Sequence, residues 1–461
     1  MKKTFLLYSI ILVSTLLSCD KQNEWLEIKT TKNDVSPETV ADYQAILDNF
    51  QYGVGRVNHN IGLMATDNIL IADNDLGRVS ELEKNVYTFQ VPVWKNGSSV
   101  QWNYAFQVIA YANIVIDGLQ TISPQSNQWQ NVMGQALFYR ALANYNLAGI
   151  FCKVYDKATA QNDLGLPIRT TSDVNIVIGS RSNLEETYQH IISDLIESLT
   201  LLPEQQPYIQ RPSLYAAKGL LAKVYLAMED YVNAYKNADE VLLDYNILLD
   251  FNNEIINYEI DSRFPVNGNG NPEVLFYTII LNMSPPVLPR TTSVGYIPDE
   301  LYNLYAQNDL RKKAFYTFRN DLPRYIGSYT GNNNDSFAGI ATNEILLIRA
   351  ESAARLGDAE TANKDLNKLL ENRYVSNTFE PYNVSDPEEI LAIILTEKRK
   401  ELPFTANLRW EDLRRLNKDP RFQKTIKRTV NGTVIELPPN SPRWVFPIPE
   451  TEIQLSGIEQ N

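Results

Sequence analysis

The side chains most often used in nucleophilic and metal catalysis are few in this 461-residue chain. There are two histidines, His59 and His190, and two cysteines, Cys19 and Cys152, and none has another of them close by in the sequence. The His-Glu-x-x-His and Gly-x-Ser-x-Gly motifs are both absent. A carboxylate pair for glycoside hydrolysis has no sequence signature and is not recognisable among 55 acidic residues. We therefore predict no catalytic residue, with a secreted glycoside hydrolase as an alternative.

The acidic segment Asp73-Asn74-Asp75-Leu76-Gly77 resembles a calcium-binding loop only in part. The EF-hand loop has its glycine at position 6, whereas the glycine here is at position 5. No glycine-rich phosphate loop is present either. The sequence therefore predicts neither a bound metal nor a cofactor.

Other side chains are suited to binding a sugar. Flat aromatic rings pack against the C–H faces of sugar rings, and Asn, Asp and Arg hydrogen-bond the hydroxyl groups. Such residues cluster in two parts of the chain, and for each aromatic the alternative is packing in the core. The predicted ligand-binding residues are Asp67, Asn68, Arg78, Trp94 and Asn96 in the first part, and Tyr296, Tyr325 and Tyr329 in the second.

Helical patterns dominate the segments that must position these residues. Ser36-Pro37 predicts a helix start, with a capping serine and a proline at the first helical position. A stripe from Trp102 to Asn113 predicts a second helix, and Trp102 belongs to its apolar face. Ser182 and Glu185 fit a capping box, which opens a third helix that stops before Pro203.

Two segments resemble each other as internal repeats, one starting at Leu220 and the other at Ile348. Each places two alanines twelve residues apart across a tight turn, and small residues there let antiparallel helices approach closely. This is the arrangement of tetratricopeptide repeats. The alanines are Ala222 and Ala234 in the first segment, and Ala350 and Ala362 in the second.

Residues 251–340 have a different composition, rich in Asn, Gly, Pro and Tyr. The run from Val274 to Leu281 is strand-like, but no helical stripe is sustained. A long irregular region inside a compact domain is usually functional. We therefore predict a mainly α fold, in which a tetratricopeptide-like scaffold (36–250 and 343–420) carries a loop-rich ligand-binding insertion (about 251–340).

The N-terminus reads as an export signal. Lys2 and Lys3 precede a short apolar run, and Leu16-Leu17-Ser18-Cys19 resembles a bacterial lipobox. We expect residues 1–18 to be removed, Cys19 to be acylated, residues 19–30 to form a tether, and 31–461 to form a single domain. Cys152 then has no disulfide partner and is expected to be buried.

The formal net charge of −13 bears on the partners. An acidic surface repels phosphate backbones, so nucleic acid is not expected to bind. Because no later apolar segment is long enough to span a bilayer, the lipid on Cys19 is the one expected membrane anchor.

Landmark residues of one family are spread over nearly the whole chain. The N-terminal half has Trp102, Tyr111 and Asn113 in an early helix, Arg140-Ala141 in the next, and Arg181 to Pro203 after it. The C-terminal match is more specific: Glu397 to Leu402, Leu408 to Arg415, Phe446 to Pro449, and then Glu452. In these features the chain resembles the SusD/RagB family of outer-membrane nutrient-binding lipoproteins. The span Thr405-Ala406-Asn407 departs from the family pattern by one extra residue, and we expect a local backbone change there.

The resemblance implies a SusD-like fold and a function in nutrient uptake. Such a lipoprotein sits on a SusC-like TonB-dependent transporter in the outer membrane, at the cell surface, and binds an oligosaccharide or, in some members, a peptide. A helical scaffold that binds another protein and no nutrient is a further alternative. The closely spaced charges of the C-terminal motifs predict a partly buried ion-pair network that fixes helix docking; they are Glu397, Arg399, Glu401, Arg409, Asp412 and Arg415.

The lipobox gives a direct prediction for Cys19. Replacing it with alanine removes the thiol that carries the acyl chains, so Cys19→Ala is expected to leave the membrane fraction and the detergent-rich phase. Detergent phase partitioning of the wild-type and variant proteins measures this. Equal partitioning of the two would remove the lipoprotein assignment.

Overall fold

The fold is mainly helical. The computed structural model describes residues 37–123, 126–280, 287–332 and 335–461, except for the side chain of Lys95. The predicted signal peptide, Cys19 and the tether up to residue 36 therefore lie outside the described residues. Helices occupy Val40–Leu47 (α1), Ile61–Met64 (α2), Glu81–Tyr87 (α3), Val100–Leu119 (α4), Asn127–Phe151 (α5), Leu184–Leu201 (α6), Leu214–Ala227 (α7), Tyr231–Asp244 (α8), Asp299–Tyr302 (α9), Arg311–Phe315 (α10), Thr342–Arg355 (α11), Ala359–Glu371 (α12), Pro387–Glu401 (α13), Leu408–Leu416 (α14) and Glu450–Ser456 (α15).

Local capping sets where the first and third predicted helices begin. The first helix starts at Val40, after a capping box of Thr39 and Asp42, so the prediction that Pro37 is its first residue is wrong. The capping box of α6 is formed by Asn183 and Glu186, one residue later than predicted. In both places a neighbouring polar residue satisfies the free backbone N–H groups of the first turn.

The two predicted repeats form antiparallel helix pairs, α7 with α8 and α11 with α12. All four alanines singled out by spacing, Ala222, Ala234, Ala350 and Ala362, are fully buried. A methyl side chain at these positions allows the paired helices to pack closely, which confirms the tetratricopeptide-like arrangement. Helix α5 packs between α4 and α6 and is buried around most of its circumference.

The described residues between 251 and 341 contain two short α-helices, the 3-10 turn Val266–Gly268 and three two-stranded antiparallel ladders, joined by loops. Strand β1 (Val274–Phe276) pairs with β6 (Ile340–Ala341), and β2 (Ile279–Ile280) pairs with β5 (Ser336–Phe337). Strands β3 (Tyr316–Arg319) and β4 (Leu322–Tyr325) form a hairpin. The predicted strand-like run Val274 to Leu281 therefore contains the two strands β1 and β2, and its last residue lies outside the described residues. A further hairpin, β7 (Ile426–Val430) and β8 (Thr433–Leu437), follows the last long helices.

A set of fully or almost fully buried charges joins the irregular region to the C-terminal helices. We call it the central charge cluster. Arg373 lies between Glu273 (2.7 Å) and Glu401 (2.8 Å). The other members are Asp309, Arg311, Glu397 and Lys400.

Four carboxylates face three cations in this cluster. Burial and the nearby Glu401 raise the pKa of Glu273, despite the attraction of Arg373. The hydroxyl of Tyr329 donates a 2.5 Å hydrogen bond to the same carboxylate. Each buried charge thus has a partner, which is the condition for keeping it in the interior.

The charges of the C-terminal motifs also pair as predicted. Arg415 binds Glu351 (2.6 Å) and Asp412 (3.0 Å), and Lys398 binds Asp412 (2.9 Å). Ala406, in the span that departs from the family pattern, has a left-handed φ of 44°. Such a φ is uncommon for alanine; the expected difference from the family's backbone stays a prediction.

Within the described ranges, no helix combines the length and the apolar composition that crossing a membrane requires. Trp102 and Cys152 lie in the core, as predicted.

The close approach of α11 and α12 gives a stability prediction. Ala350→Leu adds three carbon atoms where the helices touch, so it is expected to lower the free energy of unfolding by about 1–3 kcal/mol. Urea denaturation followed by circular dichroism measures this. The control is Ala392→Leu, the same change on the exposed side of α13, which should stay within about 0.5 kcal/mol of wild type. Equal effects of the two substitutions would contradict the packing assigned to Ala350.

Candidate ligand-binding face

Asp67 and Asn68, predicted to bind ligand, are buried and serve the scaffold. Asp67 pairs with Arg409 (2.7 Å), Arg399 (3.0 Å) and Lys424 (2.7 Å). Burial would raise the pKa of Asp67, but the three cations outweigh burial and lower that pKa well below its usual value. Asn68 is fully buried, donates to the carbonyl of a loop residue and accepts from Arg399. As ligand contacts, both assignments are wrong in this conformation.

Trp94 is also part of the core. Its side chain is 4% exposed, and its Nε1–H donates a 2.7 Å hydrogen bond to the carbonyl oxygen of Pro447. The indole packs against Phe151 and Phe446, with ring centroids 5.9 and 6.1 Å away. With neither a free face nor a free donor, Trp94 does not present a surface to a ligand, and the prediction that it does is wrong.

Asn96 is exposed but lies apart from the other candidates. It adopts a left-handed φ of 59° in a tight turn of Lys95–Gly97. The turn contacts the C-terminal helix α15, where Thr451 donates to the carbonyl oxygen of Gly97. The structure therefore does not bring Asn96 to Tyr296.

Tyr325 and Tyr329 line one small cavity of about 10 Å³ in the irregular region. Tyr329 is buried and bonded to Glu273 of the central charge cluster. Tyr325 is half-buried and packs on Phe404 at 4.6 Å between ring centroids. A second cavity of about 40 Å³ lies beside Lys223 and Glu344. Both volumes suit a few water molecules and exclude a sugar ring, so an oligosaccharide would need an open surface.

Arg78 and Tyr296 are the two predicted residues that the structure brings to one open surface. Tyr296 is half-buried, and its backbone pairs with that of Leu70 through two hydrogen bonds of 3.0 and 2.8 Å. Arg78 has 67% of its side chain exposed and pairs with Asp75 at 2.8 Å. Both Asp75 and Tyr296 lie close enough to Arg324 to affect its pKa.

The hairpin of β3 and β4 completes this surface, which sequence reasoning missed. Ile297 donates to the carbonyl oxygen of Pro323, which ties the hairpin to the segment of Tyr296. Arg319 and Arg324 lie on the side of the hairpin near Tyr296 and Asp75, whereas Phe318 lies on the opposite side and packs against Tyr302. A sequence signal for the hairpin was available in Asn320-Asp321, two residue types that tolerate the left-handed φ values of 51° and 59° found there. We call the surface near Tyr296 the Tyr296 face; it consists of Asp75, Arg78, Tyr296 and Arg319, with the buried Arg324 beneath them.

The chemistry of the Tyr296 face is that of a neutral aromatic platform with guanidinium donors. Burial, Tyr87 and Asp299 raise the pKa of Tyr296, so its hydroxyl stays protonated near neutral pH. Arg78 and Arg319 are exposed, so both can donate hydrogen bonds to a ligand.

The histidines do not lie in a catalytic setting. His59 is 3% exposed, and burial lowers its pKa to about 4, against the effect of a hydrogen bond from its ring to the backbone of Asn146. His190 lies 3.7 Å from Asp194, and burial lowers its pKa as well. Among the residues that the structure describes, no group of three or more His, Cys, Asp or Glu side chains could hold a metal ion.

Two family models match this chain. One, described as starch-binding and associating with the outer membrane, matches residues 24–226, and the other, described as the SusD family, matches residues 305–461. The SusD-like protein P2 of Formosa agariphila is 25% identical over 475 residues, covering 90% of this chain and 91% of that protein. A SusD-like protein of Bacteroides ovatus is 30% identical over 149 residues, which is 32% of this chain and 25% of that one.

Solved structures resemble the fold over nearly its full length. A putative sugar binding protein from Bacteroides vulgatus superposes with a TM-score of 0.73 at 23% identity, covering 93% of this chain and 99% of that one. A SusD superfamily protein from Bacteroides thetaiotaomicron also gives 0.73 at 23% identity, covering 92% and 99%. At this identity the likeness establishes the fold alone.

Asp67 provides a test of its structural role. Asp67→Asn leaves Arg409, Arg399 and Lys424 without their shared anion, so the free energy of unfolding at pH 7 is expected to fall by about 3–5 kcal/mol. Because the folded-state pKa is lowered, the stabilisation is present above the unfolded pKa of about 3.9 and is lost as the pH falls below it. The difference between wild type and variant should therefore shrink in acid.

Urea denaturation at several pH values measures this dependence. The control is Glu436→Gln, which breaks the exposed pair with Lys427 and should cost about 0–1 kcal/mol. An Asp67→Asn protein that matches this control would show that the buried pairs contribute little.

Proposed function

The chain belongs to the SusD/RagB family of nutrient-binding proteins, and from that membership we propose that it binds an oligosaccharide and delivers it to a TonB-dependent outer-membrane transporter. In this proposal the mature protein is held at the cell surface by acyl chains on Cys19. The family model that matches the N-terminal half is itself described as associating with the outer membrane, which supports this location.

The proposed binding site is the Tyr296 face. The observation that carries it is that the half-buried ring of Tyr296 and the exposed side chains of Arg78 and Arg319 lie on segments held together around the buried Arg324. Ion pairs of Arg399 fix the position of the face. Arg399 pairs with Asp67, which is three residues before Leu70, and with Glu300, which is four residues after Tyr296. A preorganised platform loses little entropy when a ligand binds.

An oligosaccharide is favoured over a peptide as the ligand. Two of the structurally similar proteins from Bacteroides vulgatus are described as a putative sugar binding protein and a SusD-like carbohydrate binding protein. The face itself offers the ring of Tyr296 for stacking and planar guanidinium donors for hydroxyl groups. A ligand that must be passed on needs only moderate affinity, with a dissociation constant of about 1 μM to 1 mM.

The protein is proposed to bind without catalysing a reaction. Retaining and inverting glycosidases need two carboxyl groups about 5–10 Å apart, one of them a proton donor. On the Tyr296 face, the carboxylate of Asp75 is bound by Arg78 at 2.8 Å, and the residues of the face include no second carboxylate to pair with it. Neither family model that matches the chain describes an enzyme.

Tyr296→Ala tests the site. Losing one stacking ring should reduce the free energy of binding by about 0.5–1.5 kcal/mol, which raises the dissociation constant about 2- to 13-fold. Isothermal titration calorimetry with a panel of oligosaccharides and peptides measures this. Tyr52→Ala is the matched control, because Tyr52 is 59% exposed and is not part of the face, and its affinity should equal that of wild type.

Trp94→Ala separates the face from the core. Because Trp94 is buried, its removal should lower the free energy of unfolding by about 3–5 kcal/mol. Unchanged binding by Tyr296→Ala would exclude the face, and binding of peptides alone would replace the sugar with a peptide. Cleavage of any panel member at an enzyme-like rate would replace the binding function with hydrolysis.

A further inference from the structure

One loop exposes apolar side chains that no described residue covers. In the loop of residues 172–179, Val174 is 84% exposed, Ile176 50% and Val177 77%. Scattered exposed hydrophobic residues are ordinary, but three within four positions form a patch, and such patches usually contact a partner or a membrane.

Hydrogen bonds within the loop and from Arg169 hold it in one conformation. Arg169 donates one 3.0 Å hydrogen bond to the carbonyl oxygen of Ile176 and another to that of Asp173. The carboxylate of Asp173 accepts from the backbone and the side-chain N–H groups of Asn175, both at 2.9 Å. The one acidic side chain at the tip and several backbone groups are therefore satisfied within the loop, which lowers the cost of moving it into an apolar medium.

The base of the loop is fixed to the C-terminal half of helix α4. Asp117 accepts two 2.7 Å hydrogen bonds from Ser172, one from its backbone N–H and one from its hydroxyl. Asn113, one turn earlier, donates to the carbonyl oxygens of Arg169 and Thr171. The apolar tip is thus held at a defined end of the molecule.

The described chain begins at that same end. Tyr43 donates a 3.0 Å hydrogen bond to the carbonyl oxygen of Pro37, the first described residue. The ring of Tyr43 packs on Gly118, where an added Cβ would lie 2.1 Å from the tyrosine hydroxyl oxygen. Gly118 follows Asp117 directly in α4, so Pro37 lies near the base of the loop.

We propose that Val174, Ile176 and Val177 enter the outer leaflet of the membrane as a second contact beside the lipid anchor. This inference rests on the proposed lipid anchoring, which brings the domain to the bilayer. Acyl chains hold the protein at the membrane but leave it free to rotate, whereas a second contact at the same end fixes which surface faces the bilayer. The loop thereby orients the domain.

The composition of the tip favours lipid over a protein partner. Binding hot spots between proteins are enriched in Trp, Tyr and Arg, whereas the exposed side chains here are Val and Ile. Insertion of the tip depends on apolar burial alone, because the loop has no lysine, and its arginine neighbour Arg169 is bonded to the loop backbone. Neutral phospholipid should therefore suffice as a binding surface.

An environment-sensitive fluorophore placed on the loop tests the proposal. Val177→Cys is labelled in the full chain and reconstituted into phosphatidylcholine vesicles that contain lipids spin-labelled on the acyl chain. The native Cys152 is fully buried and does not compete for the label. The matched control is Val434→Cys, an exposed valine on β8.

The expected result is a blue-shifted emission and quenching by the spin-labelled lipids at position 177, with neither change at position 434. A second variant, Val174→Asn combined with the label at Val177→Cys in the acylated chain, should be quenched less by the spin-labelled lipids than Val177→Cys alone, because asparagine lowers the apolar surface available for burial. Because these side chains are exposed, both variants should keep the wild-type melting temperature.

Two results would overturn the proposal. One is an acylated protein in which the label at position 177 shows neither a blue shift nor quenching by lipid, as is expected at position 434. The other is a shift at position 177 that requires a co-purified transporter and no lipid, which would assign the loop to a protein interface. Failure of the lipid anchor is distinguishable from failure of the loop contact. If the purified wild-type protein carries no acyl groups but the label at position 177 is still quenched by lipid, the anchor proposal is wrong and the loop proposal stands.

Discussion

The buried guanidinium of Arg373, held between the carboxylates of Glu273 and Glu401, is the interaction on which the architecture depends. It connects the start of strand β1, the end of helix α13 and the segment after α12, so three parts of the chain meet at one charge. Burial opposes the charged form of Arg373, but the two carboxylates outweigh burial and raise its pKa. Removing one partner would leave an unpaired charge in the interior, which is far more costly than the pair is stabilising.

The same principle positions the Tyr296 face. The segment around Leu70 and the segment around Tyr296 lack regular secondary structure of their own, apart from the bridge between them. Ion pairs to Arg399 and Arg409 hold the first segment against α13 and α14, and the pair between Arg399 and Glu300 holds the second. Loops that carry a binding surface are thus fixed by charges of the helical scaffold, and the loop sequences can vary on a constant support.

Much of the fold could be predicted from the sequence, and less of the site. Helical periodicity and the spacing of alanines depend on local geometry, so they identified the helix pairs that contain Ala222 and Ala350. The closely spaced charges of the C-terminal motifs likewise predicted an ion-pair network. Its distant partners, such as Asp67, could not be recognised, because an isolated aspartate in a polar segment looks the same whether it faces solvent or three cations. For the same reason Trp94 resembled a binding residue until its contacts with Phe446 and Pro447 were known.

The hydrogen bonds of the N-terminal third have a consequence for the order in which the chain can fold. Asp67, Asn68 and Trp94 all bind partners more than 330 residues later. A chain emerging from the ribosome or a secretion channel therefore has its first helices long before it has the partners that complete them. Folding can finish only when the last segment, up to Pro447, is free. A truncated chain would leave Asp67 without its cations and Trp94 without its packing partners. Such a chain would remain incompletely folded and therefore open to proteolysis.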